Sequence, residues 1–213
     1  MTDEDTEATK LCLVIEAGAS ASACLAAAIE AVDISVVILS GTPAQPLTAE
    51  AALPLIEIGQ SRDVTVLIAD DARLARTLRA DGVHLSPSDA IQPDYETARE
   101  IVGTRFVVGA HAGKSRHDAM SLGEADADYI AFGAPAFVKD RDAALQRRYD
   151  MVSWWAEIFQ IPCMAMDVAT PEQADELASA GADFIAVPIS PATAISEQID
   201  NLKAIAAAVA IQK

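Results

Sequence analysis

Polar and titratable residues in this sequence gather at a few points, each beside a short apolar, β-branched run. Asp70-Asp71 follows Thr65–Ile68, His84 lies within Val83–Leu85 with Ser86-Pro87-Ser88-Asp89 directly after it, and His111 follows Phe106–Ala110. Farther on, Lys139, Asp140, Arg141 and Asp142 lie beyond Tyr129–Phe132, Asp167 ends Cys163–Met166, and Pro188-Ile189-Ser190 ends Phe184–Val187. Asp70 and Asp89 on adjacent loops suit a shared Mg2+ ion, because a hard cation takes carboxylate oxygens and keeps several waters. The alternative is that each aspartate caps the helix after it, and for Asp71, directly before Ala72, capping is the stronger reading. His84 and His111 are candidates for general acid and base, His111 ahead of His84, against the alternative of satisfied core imidazoles. His117 falls in an amphipathic stretch and reads as a surface residue. The basic run Lys139–Arg148 suits a loop that closes over an anionic substrate, or else a solvated charge run.

The elements that must hold these groups alternate along the whole chain. Eight candidate strands are Leu11–Ile15, Val36–Leu39, Thr65–Ile68, Val83–Leu85, Phe106–Ala110, Tyr129–Phe132, Cys163–Met166 and Phe184–Val187. Helical stretches follow each of them, at Ser20–Ala31, Ala49–Glu57, Ala72–Ala80, Tyr95–Val102, Ser115–Glu124, Tyr149–Phe159, Pro171–Ala180 and Ser196–Ala208. Thr170-Pro171-Glu172 is a helix start by its chemistry: a cap, a proline at the first helical position, then an acid. Strand-then-helix units at short spacing leave a closed barrel or an open doubly wound sheet. Asp81-Gly82-Val83, Asp128-Tyr129-Ile130 and Asp183-Phe184-Ile185 each leave an Ala-rich helix and open a strand, as expected of equivalent units that close on themselves. An open dinucleotide-binding sheet would carry GxGxxG after its first strand, where this chain has Glu16-Ala17-Gly18-Ala19-Ser20-Ala21 with a single glycine. The fold class expected is therefore α/β, one (β/α)8 barrel over residues 11–213, after a polar lead-in, Met1–Lys10, that reads as flexible. Functional residues of such a barrel sit at the C-terminal ends of its strands.

Composition narrows the function classes. Hydrophobic residues make up 52% of 213, enough for a large core, while aromatics are only 5%. The net charge of −17 argues against nucleic acid and against anionic membranes, whose phosphates are bound by clustered Lys and Arg. Cys12, Cys24 and Cys163, an odd and widely spaced set, read as reduced buried thiols of a cytoplasmic protein. Neither a signal-peptide pattern nor an apolar run of membrane-spanning length is visible. Trp154-Trp155 are adjacent and cannot share one helix face, so one is a candidate for an interface, such as that of a homo-oligomer.

Three segments resemble the thiamine-phosphate synthase family. VLIADDARLARTLRADGVHLSPSD (Val66–Asp89) is similar to the family's IVND and ADGVHLGQ block, VVGAHAG (Val107–Gly113) to its GVSAH, and ADADYIAFGAPAF (Ala125–Phe137) to its GADYVGLGPIFPT. The resemblance runs on through AGADFIAV (Ala180–Val187). It implies a Mg2+-dependent transferase of thiamine biosynthesis that joins a hydroxymethylpyrimidine diphosphate to a thiazole phosphate and releases pyrophosphate. It further implies metal ligands at Asp70 and Asp89 and a functional histidine at His111. A phosphorylated small molecule would be the partner, with Lys139, Arg141 and Ser190 as candidate substrate-binding residues. Several family positions differ. The family asparagine is Ala69, its QxRxK diphosphate grip falls on Ser35-Val36-Val37-Ile38-Leu39-Ser40, the serine of GVSAH is Gly109, the TxTK loop is Val138-Lys139-Asp140-Arg141, and its phosphate-binding double glycine is Met166-Asp167-Val168. Three readings follow: a diverged synthase, a non-catalytic barrel that binds a ligand or partner, and a relative of thiazole tautomerase with His111 as base.

Overall fold

The computed structural model describes residues 8–42, 44–135, 137–190 and 193–210. Strands β1 (Lys10–Glu16), β2 (Val36–Ser40), β3 (Thr65–Ala69), β4 (Gly82–Leu85), β5 (Val107–His111), β6 (Tyr129–Phe132), β7 (Cys163–Ala165) and β8 (Phe184–Ile189) pair in parallel in chain order, and β8 returns to β1. The closure runs from Lys10 beside Phe184 to Ile15 beside Ile189. Helices α1 (Ala21–Ala31), α2 (Ala49–Gln60), α3 (Ala72–Leu78), α4 (Ile91–Val102), α5 (Arg116–Glu124), α6 (Arg141–Ile158), α7 (Pro171–Ser179) and α8 (Ile195–Ala210) follow the strands one by one. This is the (β/α)8, or TIM, barrel that the alternation calls for.

The two-residue period of a strand sorts its side chains between two cores. From β1, Leu11, Leu13 and Ile15 enter the layer beneath the helices, whereas Cys12 and Val14 enter the barrel interior. The interior is filled by residues such as Ile38, Leu67, Tyr129, Met164 and Met166. All three cysteines are buried and free, and burial pushes the Cys12 and Cys163 thiols up, Cys163 to about 12.

The recurring aspartates are structural. Each Oδ2 accepts a backbone N–H near the start of the preceding strand: Asp81 from Val66, Asp128 from Val108 and Asp183 from Cys163, all at 2.7 Å. The same aspartates return their own N–H to the carbonyls of those residues at 2.8, 3.1 and 3.0 Å. A reciprocal clip thus ties β3 to β4, β5 to β6 and β7 to β8. Between β1 and β2 the backbone half recurs, from the Ser35 N–H to the Leu11 carbonyl at 3.0 Å.

Two expectations need correction. The basic run Lys139–Arg148 is not a loop, because α6 begins at Arg141. Asp140 caps it by accepting the Ala143 N–H at 3.1 Å, and Ala143, Ala144, Leu145 and Gln146 are strong helix formers. Likewise α4 starts at Ile91, ahead of Tyr95. Of the tryptophans, Trp155 is fully buried, while Trp154 is half-buried beneath the Arg116 guanidinium, 4.7 Å above its ring.

Candidate active site

The strands' C-terminal ends open on two clefts that share Asp70, Asp71 and Ser86. One, of about 620 Å3, lies between the entries to α3 and α4 and includes Asp71, Ser86, Ser88 and Asp94. The other, of about 500 Å3, lies beside the end of β2, with Ser40, Gly41 and Thr42. Asp70 adopts the left-handed conformation at φ 58°, which turns its carboxylate toward β4. There Oδ1 accepts the Ser86 N–H and Oδ2 the Ser86 hydroxyl, each at 2.7 Å. Asp71 accepts the Leu74 N–H at 2.8 Å, the capping role expected of it. Asp89 is exposed in the turn entering α4. Among the described residues no three His, Cys, Asp or Glu side chains form a ready metal cluster.

A second constellation stands across the mouth, at the ends of β5, β6 and β7. His111 is 6% exposed and its Nδ1 accepts the Gly113 N–H at 2.9 Å. That bond places the imidazole's own hydrogen on Nε2, which is buried without a hydrogen-bond partner. Nε2 and Asp167 Oδ2 converge on Gly133, where an added Cβ would lie 2.5 Å from the first and 2.6 Å from the second. Burial raises the Asp167 carboxyl, while Arg148, the Ala134 N–H and Arg141 hold it down. Arg148 is 3% exposed and donates to the carbonyls of Met166 and Asp167 at 2.8 and 2.9 Å and to Gln173 Oε1 at 3.3 Å. Arg141 donates to the Ala134 carbonyl. Lys139 is exposed. The backbone of Ser190 is fixed by Gln198, whose side chain accepts its N–H at 2.8 Å and donates to its carbonyl at 2.9 Å.

Between the two constellations, inside the barrel, His84 Nδ1 and the Tyr129 hydroxyl meet at 2.8 Å with the rings nearly parallel at 11°. Burial lowers His84 to about 4; burial first and the nearby His84 second lower His111 to about 3. Both imidazoles are neutral at neutral pH. Tyr129 occupies this place because Gly109 has no side chain: a Cβ there would overlap the ring and lie 2.5 Å from Cδ1.

The structure therefore brings His111 together with Arg141 through Asp167 and Ala134, and keeps Asp70 with Ser86 on the opposite side. Sequence reasoning missed Tyr129 as part of the mouth and carried Arg148 only as the end of the basic run Lys139–Arg148. A signal for Arg148 was present, since it continues the α6 face of Ala144, Met151, Val152 and Trp155 at helical spacing, all of them buried.

Known proteins resemble this chain in sequence and in fold. The family model for thiamine monophosphate synthase matches residues 11–190. The chain is 42% identical over 141 residues to a thiamine-phosphate synthase of Erythrobacter litoralis, a match covering 65% of this chain and 65% of the relative. It is 36% identical over 184 residues to that of Rhodospirillum centenum, covering 81% of this chain and 86% of the relative. Among solved structures, the thiamine phosphate pyrophosphorylase from Pyrococcus furiosus superposes with a TM-score of 0.74 at 20% identity, over 95% of this chain and 96% of the other. GGGPS from Thermoplasma volcanium superposes at 0.69 and 14% identity, over 95% of this chain and 92% of the other, so both structural likenesses speak for the barrel alone. With the family's pattern matched across nearly the whole barrel, this chain belongs to the thiamine monophosphate synthase family.

Proposed function

We propose that this chain is a diverged synthase of thiamine biosynthesis. It binds a phosphorylated small molecule at the C-terminal mouth, and it condenses hydroxymethylpyrimidine diphosphate with thiazole phosphate poorly or not at all. The observation that carries this reading is β2. Where the family's diphosphate grip falls, Val36, Val37, Ile38 and Leu39 are all buried and apolar. A departing diphosphate needs fixed cations against its developing charge, and loss of one preorganised contact of this kind costs about 10²–10³ in rate. Lys139 and Arg141 are the candidates to bear part of that work, with Ser190 at the end of β8 and His111 as a hydrogen-bond donor to the reacting group.

Mg2+ would be held on the acidic side of the mouth by Asp70, with Asp89 supplying a second carboxylate. Its contribution there would be to neutralise diphosphate oxygens. Ser86, bonded to both Asp70 oxygens, holds that carboxylate in a fixed orientation. The tautomerase reading is disfavoured, because the Gly113 N–H on Nδ1 leaves Nε2 of His111 a donor, not a proton acceptor. For a protein that works on such substrates, with no helix among the described residues long and apolar enough to cross a membrane, we propose a cytoplasmic location.

The test is pyrophosphate release from the two family substrates with Mg2+, beside the Rhodospirillum centenum relative as control. Turnover at least about 10²-fold below the control is expected from the apolar β2. Turnover at the control's pace refutes the reading. No turnover with substrate binding retained would separate the non-catalytic barrel, the second reading, from a slow synthase.

A further inference from the structure

A (β/α)8 barrel is ordinarily packed with side chains along its axis, and this one departs from that at the end opposite the mouth. A cavity of about 230 Å3 opens there, among the first residues of the strands. Leu67, Tyr129 and Met164 close its inner end, each at most 5% exposed, and Val107, Pro162 and Phe184 form the rim. The void has a local cause in β4. His84 stacks on Tyr129 inside the barrel, so Gly82, two residues earlier, shares that face and adds no side chain between Leu67 and Val107, its neighbours in the sheet. Glycine is required at that position, because a Cβ would overlap the Val107 carbonyl. Polar groups at the cavity are committed elsewhere: the Tyr129 hydroxyl meets His84 Nδ1 at 2.8 Å, and the Asp128 carboxylate accepts from the Val108 N–H and from Arg99. A held water needs roughly two to four polar partners, whereas an apolar void of about 150 Å3 takes up benzene.

We propose that this cavity is a binding site for a small neutral hydrocarbon group, an aromatic ring above all, separate from the mouth that holds Asp70 and His111. At about 230 Å3 it exceeds a benzene-sized void and admits a substituted ring. Tyr129 and Phe184 offer aromatic surface and Met164 a thioether, which favour an aromatic guest over an aliphatic one. An anionic guest would meet no Lys, Arg or His among the lining residues, in a chain of net charge −17. The same net charge opposes a second copy as the occupant. The seven residues before Ala8 include Asp3, Glu4, Asp5 and Glu7, chemistry unsuited to an apolar void. The inference rests on the packing at the N-terminal end of the barrel, so it holds or fails whatever the condensation assay gives.

The experiment is titration of the full chain, isotope-labelled at its methionine methyls, with toluene and with benzoate, read by NMR and by melting temperature. Toluene should bind saturably, shift the Met164 methyl and leave those of Met120 and Met151, on α5 and α6, in place. It should also raise the melting temperature, since a ligand of the folded state alone stabilises that state. Benzoate at the same concentration should do neither. Val107→Phe puts a ring into the cavity and should weaken toluene binding at least about tenfold. Should that variant not fold, Met164→Ala enlarges the cavity and should shift the preference from toluene toward naphthalene. No saturable toluene binding, binding that leaves the Met164 methyl unmoved, benzoate bound as well as toluene, or affinity indifferent to whichever variant folds overturns the proposal. Toluene affinity that falls as protein concentration rises would give the cavity to a second copy and overturn it as well.

Discussion

Replacing Gly109 by alanine should destabilise this protein, although glycine-to-alanine changes in extended backbone ordinarily stabilise by about 0.4–1 kcal/mol through the unfolded state. The methyl group would fall on the Tyr129 ring, 2.5 Å from Cδ1 and closer still to Cε1 and Cζ, well inside the 3.0 Å that real Cβ atoms respect. The ring has little room to retreat, because Tyr129 is 5% exposed and its hydroxyl is bonded to His84 Nδ1 at 2.8 Å. Overpacking of this kind costs about 1–3 kcal/mol. If the ring swings away instead, the His84 bond is lost inside the barrel, at about 1–3 kcal/mol for the group left unsatisfied. A net loss of roughly 2 kcal/mol is expected, which for a chain of this size lowers the melting temperature by roughly 4–8 °C. Urea unfolding monitored by circular dichroism measures it, in wild-type and Tyr129→Ala backgrounds. In the second background the methyl has space, so Gly109→Ala should cost little and the coupling should exceed about 1.5 kcal/mol. A Gly109→Ala protein as stable as wild type, or an equal penalty in both backgrounds, refutes the packing argument.

Arg148→Met keeps the apolar stem within α6 but leaves the Met166 and Asp167 carbonyls without their donor, and should cost about 2–4 kcal/mol in urea unfolding. A loss below about 1 kcal/mol would show that the guanidinium does not pin the loop after β7. Acid should weaken the fold through its buried histidines. Their folded-state values, about 4 for His84 and about 3 for His111, lie below the ordinary 6.5. The unfolded chain therefore binds protons first, and stability fully present above pH 6.5 declines as pH falls toward the folded values. Each histidine adds a slope of up to about 1.4 kcal/mol per pH unit in that window. His84→Gln should lower the dependence of the urea midpoint on pH between 6 and 4.5, and an unchanged slope would contradict the assignment.

Several features were legible before any coordinates. The alternation of β-branched runs with Ala-rich helical stretches required an α/β layering, and the recurring Asp81, Asp128 and Asp183 pointed to repeated units that close on themselves. Those aspartates act locally, on a backbone N–H one strand away, so a short motif carries their role. The Asp71 and Thr170 caps were legible for the same reason: each accepts an N–H three residues ahead. The start of α6 was misread because a dense charge run resembles solvated loop, and only the Asp140 cap and the buried face through Arg148 reveal the helix.

Residue types and local spacing thus determined the elements, their order, and the end of the barrel at which Asp70, Asp89, His111 and Asp167 would appear. The tertiary structure alone decided what each group faces. Ser86 turns to Asp70 across two strands, Tyr129 fills the space that Gly109 leaves, and Arg148 reaches from α6 to the loop after β7. No spacing rule foretells these contacts, since they join residues distant in sequence through the register of a closed sheet. The Gly113 N–H sets the His111 tautomer locally, and only the packing of the barrel mouth leaves its Nε2 buried without a partner.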